Sequence, residues 1–401
     1  MNPTTCATRE AALEALNEFL PRVPKYAERR GFVSADDGAV SRLSPYIRRR
    51  VITEQELARK VLESFSFQVA EKFIQEVVWR TYWKGWLERH QEVWLSCVQR
   101  EMQYLSTIDR YDWSEKYQQA CRGTTNFAFF NDWVTELVET GYLHNHIRMW
   151  FASVWIFTLQ IPWQLGAMFM YRHLLDGDPA SNTLSWRWVA GLQTKGKTYL
   201  VRADNIATYS NGRWQPRPGE LAERAEAIIE DARSLCAQPA KWVYTAPPLG
   251  HYGLITTDED LSIELDSTVL ERARDIALLR RKPNGGESKL VAEFTSKAEE
   301  DAIKRFGSRC VGFDTEADIL GWAAEHKLSR VVLVAPAVGP NQERISELIS
   351  RLALQGIECS AFQRRWDTEL HELADKGFFP FWERVKKRIG KGCPLFYGKD
   401  G

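Results

Sequence analysis

The residues whose types and spacing could do chemistry concentrate in one stretch, 140–188. Asn145, Arg148 and Met149 stand at i, i+3 and i+4, so a helix would set an amide, a cation and a soft thioether on one face. Asp176 and Asp178 follow in LLDGDPASN, where Asp178 can cap a helix that Pro179 opens. The stretch is dense in large aromatics, and a buried arginine or aspartate among them demands a partner. Arg148 with Asp176 is the pairing this implies. A core alone would not need so many polar groups; a bound cofactor would. Upstream, Glu76, Trp79 and Arg80 repeat the i, i+3, i+4 pattern and group an acid, a flat aromatic and a cation. Near residue 44, Ser44 before Pro45 reads as a helix start with Ser44 as N-cap. Free N–H groups there, with the hydroxyls of Ser41 and Ser44 beside them, suit a phosphate.

These side chains need helices to position them. Residues 8–30 carry Ala11, Leu13, Leu16, Phe19 and Leu20 at helical spacing, Thr53 with Glu56 makes a capping box, and 67–94 is strongly helical. Residues 149–171 are apolar enough to raise a membrane span. Gln160, Pro162 and Gln164 interrupt them, which predicts two buried helices meeting near Pro162 instead. Residues 1–215 thus read as one all-α unit. Residues 216–240 begin proline-rich and turn charged, predicting a linker helix. Over 241–401 short apolar runs alternate with helical patterns. Strands are expected at 242–245, 254–257, 310–313, 330–335 and 357–362, and helices at 270–281, 292–306, 316–326 and 341–354. That alternation implies a parallel sheet with right-handed crossovers, a Rossmann-like α/β unit, although no GxGxxG or P-loop occurs in it.

The composition narrows the classes further. At 401 residues the chain exceeds the usual single core, so two domains are expected. The formal net charge is zero, so no global field favours nucleic acid and DNA binding must rest on local patches. Seven scattered Cys without CxxC spacing argue against a disulfide framework or a zinc site and for a reducing, cytoplasmic setting. Sixteen Trp are far more than average usage supplies, and each needs both a cavity and a partner for its N–H.

Five ordered segments resemble the cryptochrome/photolyase family: VSRLSPYI (40–47), EVVWRTYWKGWL (76–87), HNHIRM (144–149), PWQLGA (162–167) and DGDPASNTLSWRW (176–188). The resemblance covers about residues 8–215. It implies an N-terminal all-α photolyase-type FAD-binding domain; residues 292–384, with IKRFGSRCVGF (303–313) and GFFPFWERV (377–385), resemble the later part of the family's antenna domain, which implies an antenna-like α/β domain here in permuted order. It implies FAD as cofactor, says nothing of a second antenna chromophore, and places DNA containing pyrimidine dimers as the substrate. By the same resemblance Ser41, Arg42, Leu43 and Ser44 would hold the pyrophosphate, with Tyr26 lining that pocket. Arg80, Asn145, Arg148, Asp176 and Asp178 would surround the isoalloxazine and ribityl part, and Asn182 would face flavin N5. Glu76, Trp79 and Met149 would contact a flipped cyclobutane dimer. Trp186 and Trp163 match two members of an electron-transfer chain, whose third position is Arg110 here, with Trp113 or Tyr111 as substitutes. Light-driven dimer repair is the leading expectation, and a blue-light receptor without repair is the alternative. The segments depart from the family at TTNFAFF (124–130) and at Arg187, where the family has Gln.

Overall fold

The computed structural model describes residues 6–33, 39–230, 237–238, 240–283 and 286–398. The sequence also predicts a polar loop at 34–40 and a loop at Gly285–Gly286; most of the first, and Gly285 of the second, lie outside the described residues. The first part is helical: α1 Arg9–Phe19, α2 Val23–Arg29, α3 Ser44–Arg48, α4 Glu54–Ser64, α5 Phe67–Arg89 and α6 Glu92–Ser106. It continues with α7 Ser114–Arg122, α8 Ala128–Thr140, α9 Asn145–Ser153, α10 Trp163–His173, α11 Pro179–Val189 and α12 Ala203–Tyr209. Local signals set several ends. Thr53 and Glu56 form the reciprocal capping box of α4, and Asp178 accepts from Ser181 N–H ahead of Pro179 to cap α11. The apolar run breaks as expected, with a π turn at Val154–Thr158 and a fresh helix from Trp163. Among the described residues no helix is long and apolar enough to cross a membrane.

The second part holds β1 Tyr252–Thr257, α13 Ser267–Leu270, β2 Ala273–Leu279, α14 Lys289–Phe306, β3 Cys310–Phe313 and α15 Glu316–Glu325. After these come β4 Arg330–Val334, α16 Pro340–Leu354 and β5 Glu358–Phe362, then α17 Arg365–His371, α18 Phe378–Gly390 and α19 Pro394–Tyr397. The strands form one parallel sheet in the order β3-β2-β1-β4-β5. Side chains alternate between its faces. Ile255, Leu279 and Leu333 pack with Ile319, Leu348 and Leu352 of α15 and α16, whereas Leu254, Ile276 and Val332 join the core shared with the helices. Helices α17 and α18 return to pack on α5, and α19 packs on α4.

Three expectations change. Within 270–281, Ala273–Leu279 form strand β2, not a helix: ARDIALL is mostly Ala, Leu and Arg, which are good helix formers, yet pairing with β1 and β3 and burial on both faces outweigh propensity. The linker helix is absent over the described residues 217–230. There Ala222 N–H donates to Thr158, Ile228 N–H to the Ala190 carbonyl, and Glu230 binds Arg187, so tertiary contacts hold the chain extended. At 242–245 the only strand pairing among the described residues is a bridge between Tyr244 and Ala361.

The sheet order reverses direction between β1 and β4, and the loop Asp258-Glu259-Asp260 stands at that switch point. In open α/β sheets such a crevice is the usual ligand site. Here three consecutive buried arginines of the helical part enter it. Arg48 approaches Glu259 at 3.6 Å, Arg49 pairs with Asp258, and Arg50 reaches Asp260 at 3.6 Å and Asp367 at 2.6 Å. Arg281 and Arg364 join from the α/β side. Burial opposes ionisation of Asp258, but Arg49, Arg281 and Arg48 together hold its carboxyl down to about 2. The crevice keeps a volume of about 40 Å³, room for a water or two rather than for a ring system.

Candidate functional site

Helices α5, α9 and the 176–178 turn bring four of the expected residues together. Arg148, one turn into α9, donates through both terminal nitrogens to the two oxygens of Asp176, each at 3.0 Å, and its Nε donates to the Leu143 carbonyl at 2.9 Å. Such a bidentate pair fixes direction as well as charge. Arg80 of α5 lies 4.0 Å from Asp176 and 3.7 Å from Asp178, and Arg48 approaches Asp178 at 3.5 Å. Burial works against ionising Asp176, yet Arg148 and Arg80, with Ser44, keep it below the usual carboxylate range. The same holds for Asp178 under Arg48, Lys84 and Arg80. Buried Lys84 is itself pushed down, first by desolvation and then by Arg50.

Above this cluster, Arg42 and Arg148 both lie over the ring of Tyr142, at 5.0 and 5.9 Å. Ser41 Oγ accepts from Leu43 N–H at 3.4 Å, and Leu43 is buried. Leu43, not Ser44, occupies the cap position of α3; Ser44 is the first helical residue and turns its side chain to Asp176. Asn145 is exposed and donates weakly to Met149 Sδ at 3.9 Å, so these two do share a face. Tyr26 packs edge-on against Phe19 and Phe73 beside Arg30 and Glu76, and burial raises its phenol well above the ordinary range. Glu76 is gripped by Arg30 at 2.9 Å and Lys72 at 3.0 Å. Asn182 is buried on α11 and donates to the Ala167 carbonyl at 2.8 Å.

Trp79 lies apart from this arrangement. Its ring stacks on Phe378 of α18, with centroids 3.3 Å apart and planes 7° from parallel, among Tyr82, Trp83 and Phe381. The aromatic surface expected as a wall for a flipped base is therefore covered by a side chain from the far end of the sequence. Neither Phe378 nor Tyr142 stands out in the sequence as a site residue. The acidic run 258–260 facing the basic run 48–50 could have revealed the crevice contact.

Trp186 is buried, its ring edge-on to Trp155 and near Phe151, each 6.2 Å away. Gly166 permits this approach, because a Cβ there would collide with Trp186 and lie 2.8 Å from Trp155. Trp163 is also buried, donates through Nε1 to Glu230 at 3.3 Å, and faces the Arg187 guanidinium at 5.9 Å. Farther out, Trp113 stacks on Tyr111 at 4.5 Å, while Arg110 is exposed.

The family described as the FAD binding domain of DNA photolyase matches residues 73–213, the span that holds α5, the Arg148–Asp176 pair and α11. Over this span the chain is similar to the photolyase/cryptochrome family. It is 31% identical over 207 residues to the deoxyribodipyrimidine photo-lyase of Alkalihalophilus pseudofirmus, an overlap of 50% of this chain and 41% of that protein. It is 26% identical over 245 residues to the one of Salmonella typhimurium, covering 59% of this chain and 50% of that protein. A solved class III photolyase from Agrobacterium tumefaciens is 24% identical with a TM-score of 0.42, over 51% of this chain and 43% of that one. The chain spans half or less of the length of each of these photolyases.

The family implies FAD, and the donor set fits it. Arg48, Arg80 and Arg148 face Asp176, Asp178 and Glu259, with exposed Arg42 beside them, and the Nη1 atoms of Arg48 and Arg80 are buried with no hydrogen-bond partner among the described residues. A site with unpartnered buried cationic donors suits an anionic, acceptor-rich ligand.

Proposed function

We propose that the chain repairs cyclobutane pyrimidine dimers in DNA by a blue-light-driven, FAD-dependent reaction. The observation that carries this reading is the Arg148–Asp176 pair joined by Arg80 and Ser44 inside the FAD-binding-domain match. The relatives named deoxyribodipyrimidine photo-lyase support the substrate. FAD, when bound, supplies the electron on illumination; the protein supplies orientation and electrostatics. Ser41, Arg42, Leu43 and Ser44 would hold the pyrophosphate, with Tyr26 nearby, and Arg80, Asn145, Arg148, Asp176 and Asp178 the remainder. The neutral amide of Asn182 would face the ring and add no negative charge beside it. Glu76, held by Arg30 and Lys72, would accept a hydrogen bond from the dimer, and Met149 would pack against it. Trp79 would stack on the flipped bases once Phe378 withdraws. Trp186 and Trp163 would return electrons to the site from the surface.

The Phe378–Trp79 stack favours a second reading, a blue-light receptor without repair. The deciding experiment is blue-light repair of a thymine cyclobutane dimer in single-stranded and duplex oligonucleotides, with the flavin reduced. Dimer loss only in the light is the expected result. FAD present and photoreducible without repair moves the conclusion to the receptor, and absence of FAD removes both readings.

A further inference from the structure

The cavity of about 40 Å³ at the switch point of the sheet is lined from both parts of the chain and has no place in the proposed repair. Lys84 of α5 and Gln342 of α16 both line it, each at 6% exposure. Neither side chain has a hydrogen bond or a close ion pair among the described residues. A lysine ammonium carries three donors, and shutting it away from bulk water with none of them used is costly.

The acceptors around it are already taken. Glu88 accepts from the Tyr244 hydroxyl and hydrogen-bonds His371 Nδ1 at 2.9 Å, and Asp367 accepts from Arg50 at 2.7 Å. Asp260 accepts twice from Arg364, at 2.6 and 2.8 Å, and Glu259 accepts from Ala337 N–H at 3.0 Å. The charges that act most on Lys84 are Arg50 and Arg48 against Asp178 and Glu54, two of each sign, so its own charge is left over. The missing partner is therefore an acceptor with a single negative charge, and the Gln342 amide offers it a neutral N–H as well. Volume sets its size: at roughly 10–15 Å³ for each water-sized group, the cavity takes about three heavy atoms. We propose that this cavity binds a small monoanionic carboxylate of the size of formate, whose oxygens accept from Lys84 Nζ and Gln342 Nε2. Because α5 belongs to the helical part and α16 to the α/β part, the ligand bridges the two.

The test uses the full chain in the dark and reads neither flavin nor repair, so its outcome is independent of the dimer-repair reading. Isotope-labelled formate is the probe, and its carbon NMR relaxation over a concentration series, at constant ionic strength and neutral pH, reads binding. Saturable binding at one site is expected. Formamide, of the same size but uncharged, should bind at least tenfold more weakly, and inorganic phosphate, too large for the cavity, should not displace formate. Lys84→Met removes the cation and should abolish saturation. Gln342→Leu keeps the volume but loses one donor to a charged acceptor, and should weaken formate about tenfold. It leaves every buried charge in place, so it decides the assignment alone if Lys84→Met does not fold by circular dichroism. No saturable binding, formamide held as tightly as formate, displacement by phosphate, or unchanged formate affinity in Gln342→Leu would each overturn the assignment.

Discussion

Replacing Phe378 by leucine tests whether Trp79 is a base-stacking wall. Phe378 is buried, and its ring lies 3.3 Å from that of Trp79. A parallel aromatic pair contributes about 0.5–1.5 kcal/mol beyond its area burial, and any base entering the same place must first displace it. Leucine keeps an apolar filling but cannot reproduce the stack, at a stability cost of about 1–1.5 kcal/mol. Removing the competitor should therefore raise affinity for a dimer-containing oligonucleotide by up to about tenfold, since ~1.4 kcal/mol is one decade. Affinity for undamaged DNA rests on phosphate contacts and should not move. Fluorescence anisotropy with matched damaged and undamaged duplexes, at fixed salt, reads the difference. Adding Trp79→Ala to Phe378→Leu should abolish the gain. Equal affinity of Phe378→Leu and the parent for the lesion, with FAD retained, would refute the idea that a flipped base and Phe378 compete for Trp79.

Arg148→Met leaves the buried Asp176 carboxylate with the Ser44 hydroxyl and a single cation, Arg80 at 4.0 Å. It should cost roughly 2–3 kcal/mol in denaturant titration and release FAD, while Arg148→Met combined with Asp176→Asn should be more stable than the single variant. Desolvation, with His146 and Arg148 nearby, pushes His144 down to about 4, so between that value and the ordinary 6.5 the folded chain binds fewer protons than the unfolded one. The corresponding stability, roughly 3 kcal/mol, should be fully present above about pH 6.5 and be lost as pH falls towards 4. In His144→Asn, thermal midpoints at pH 7 and pH 4.5 should differ less than in the parent. Gly166→Ala drives a methyl into Trp186 and should destabilise by about 1–3 kcal/mol and slow flavin photoreduction, read by absorbance under blue light. Unchanged photoreduction would remove Trp186 from the electron path.

The Arg148–Asp176 pair and the Asp178 cap are legible in the sequence because a buried charge or an open helix end has few ways to be satisfied. The capping box at Thr53 and Glu56 and the break near Pro162 are legible for the same local reason. Strand β2 is not, because its Ala- and Leu-rich composition suits a helix and only its neighbours in the sheet make it a strand. The 217–230 segment misleads in the same way. Its charged, alanine-rich pattern predicts a helix, but the anchors at Thr158, Ala190 and Arg187 lie far back in the sequence. The stack of Phe378 on Trp79 joins the middle of the chain to its end, so no periodicity within either segment points to it.

The arginines of α3 and its C-terminal flank have a consequence for how the chain can be cut and recombined. Arg49 and Arg50 take their acidic partners partly or wholly from beyond residue 250, while Arg48 divides its contacts between Asp178 and Glu259. A helical fragment expressed alone would turn these guanidiniums into cations on a raw apolar face, and a lone α/β fragment would keep only Arg281 and Arg364 to balance Asp258, Glu259, Asp260 and Asp367. The two halves are thus poor candidates for modular exchange. A chimera joining this helical half to the sheet of a related protein would have to transplant the basic triplet and the acidic triplet as one unit.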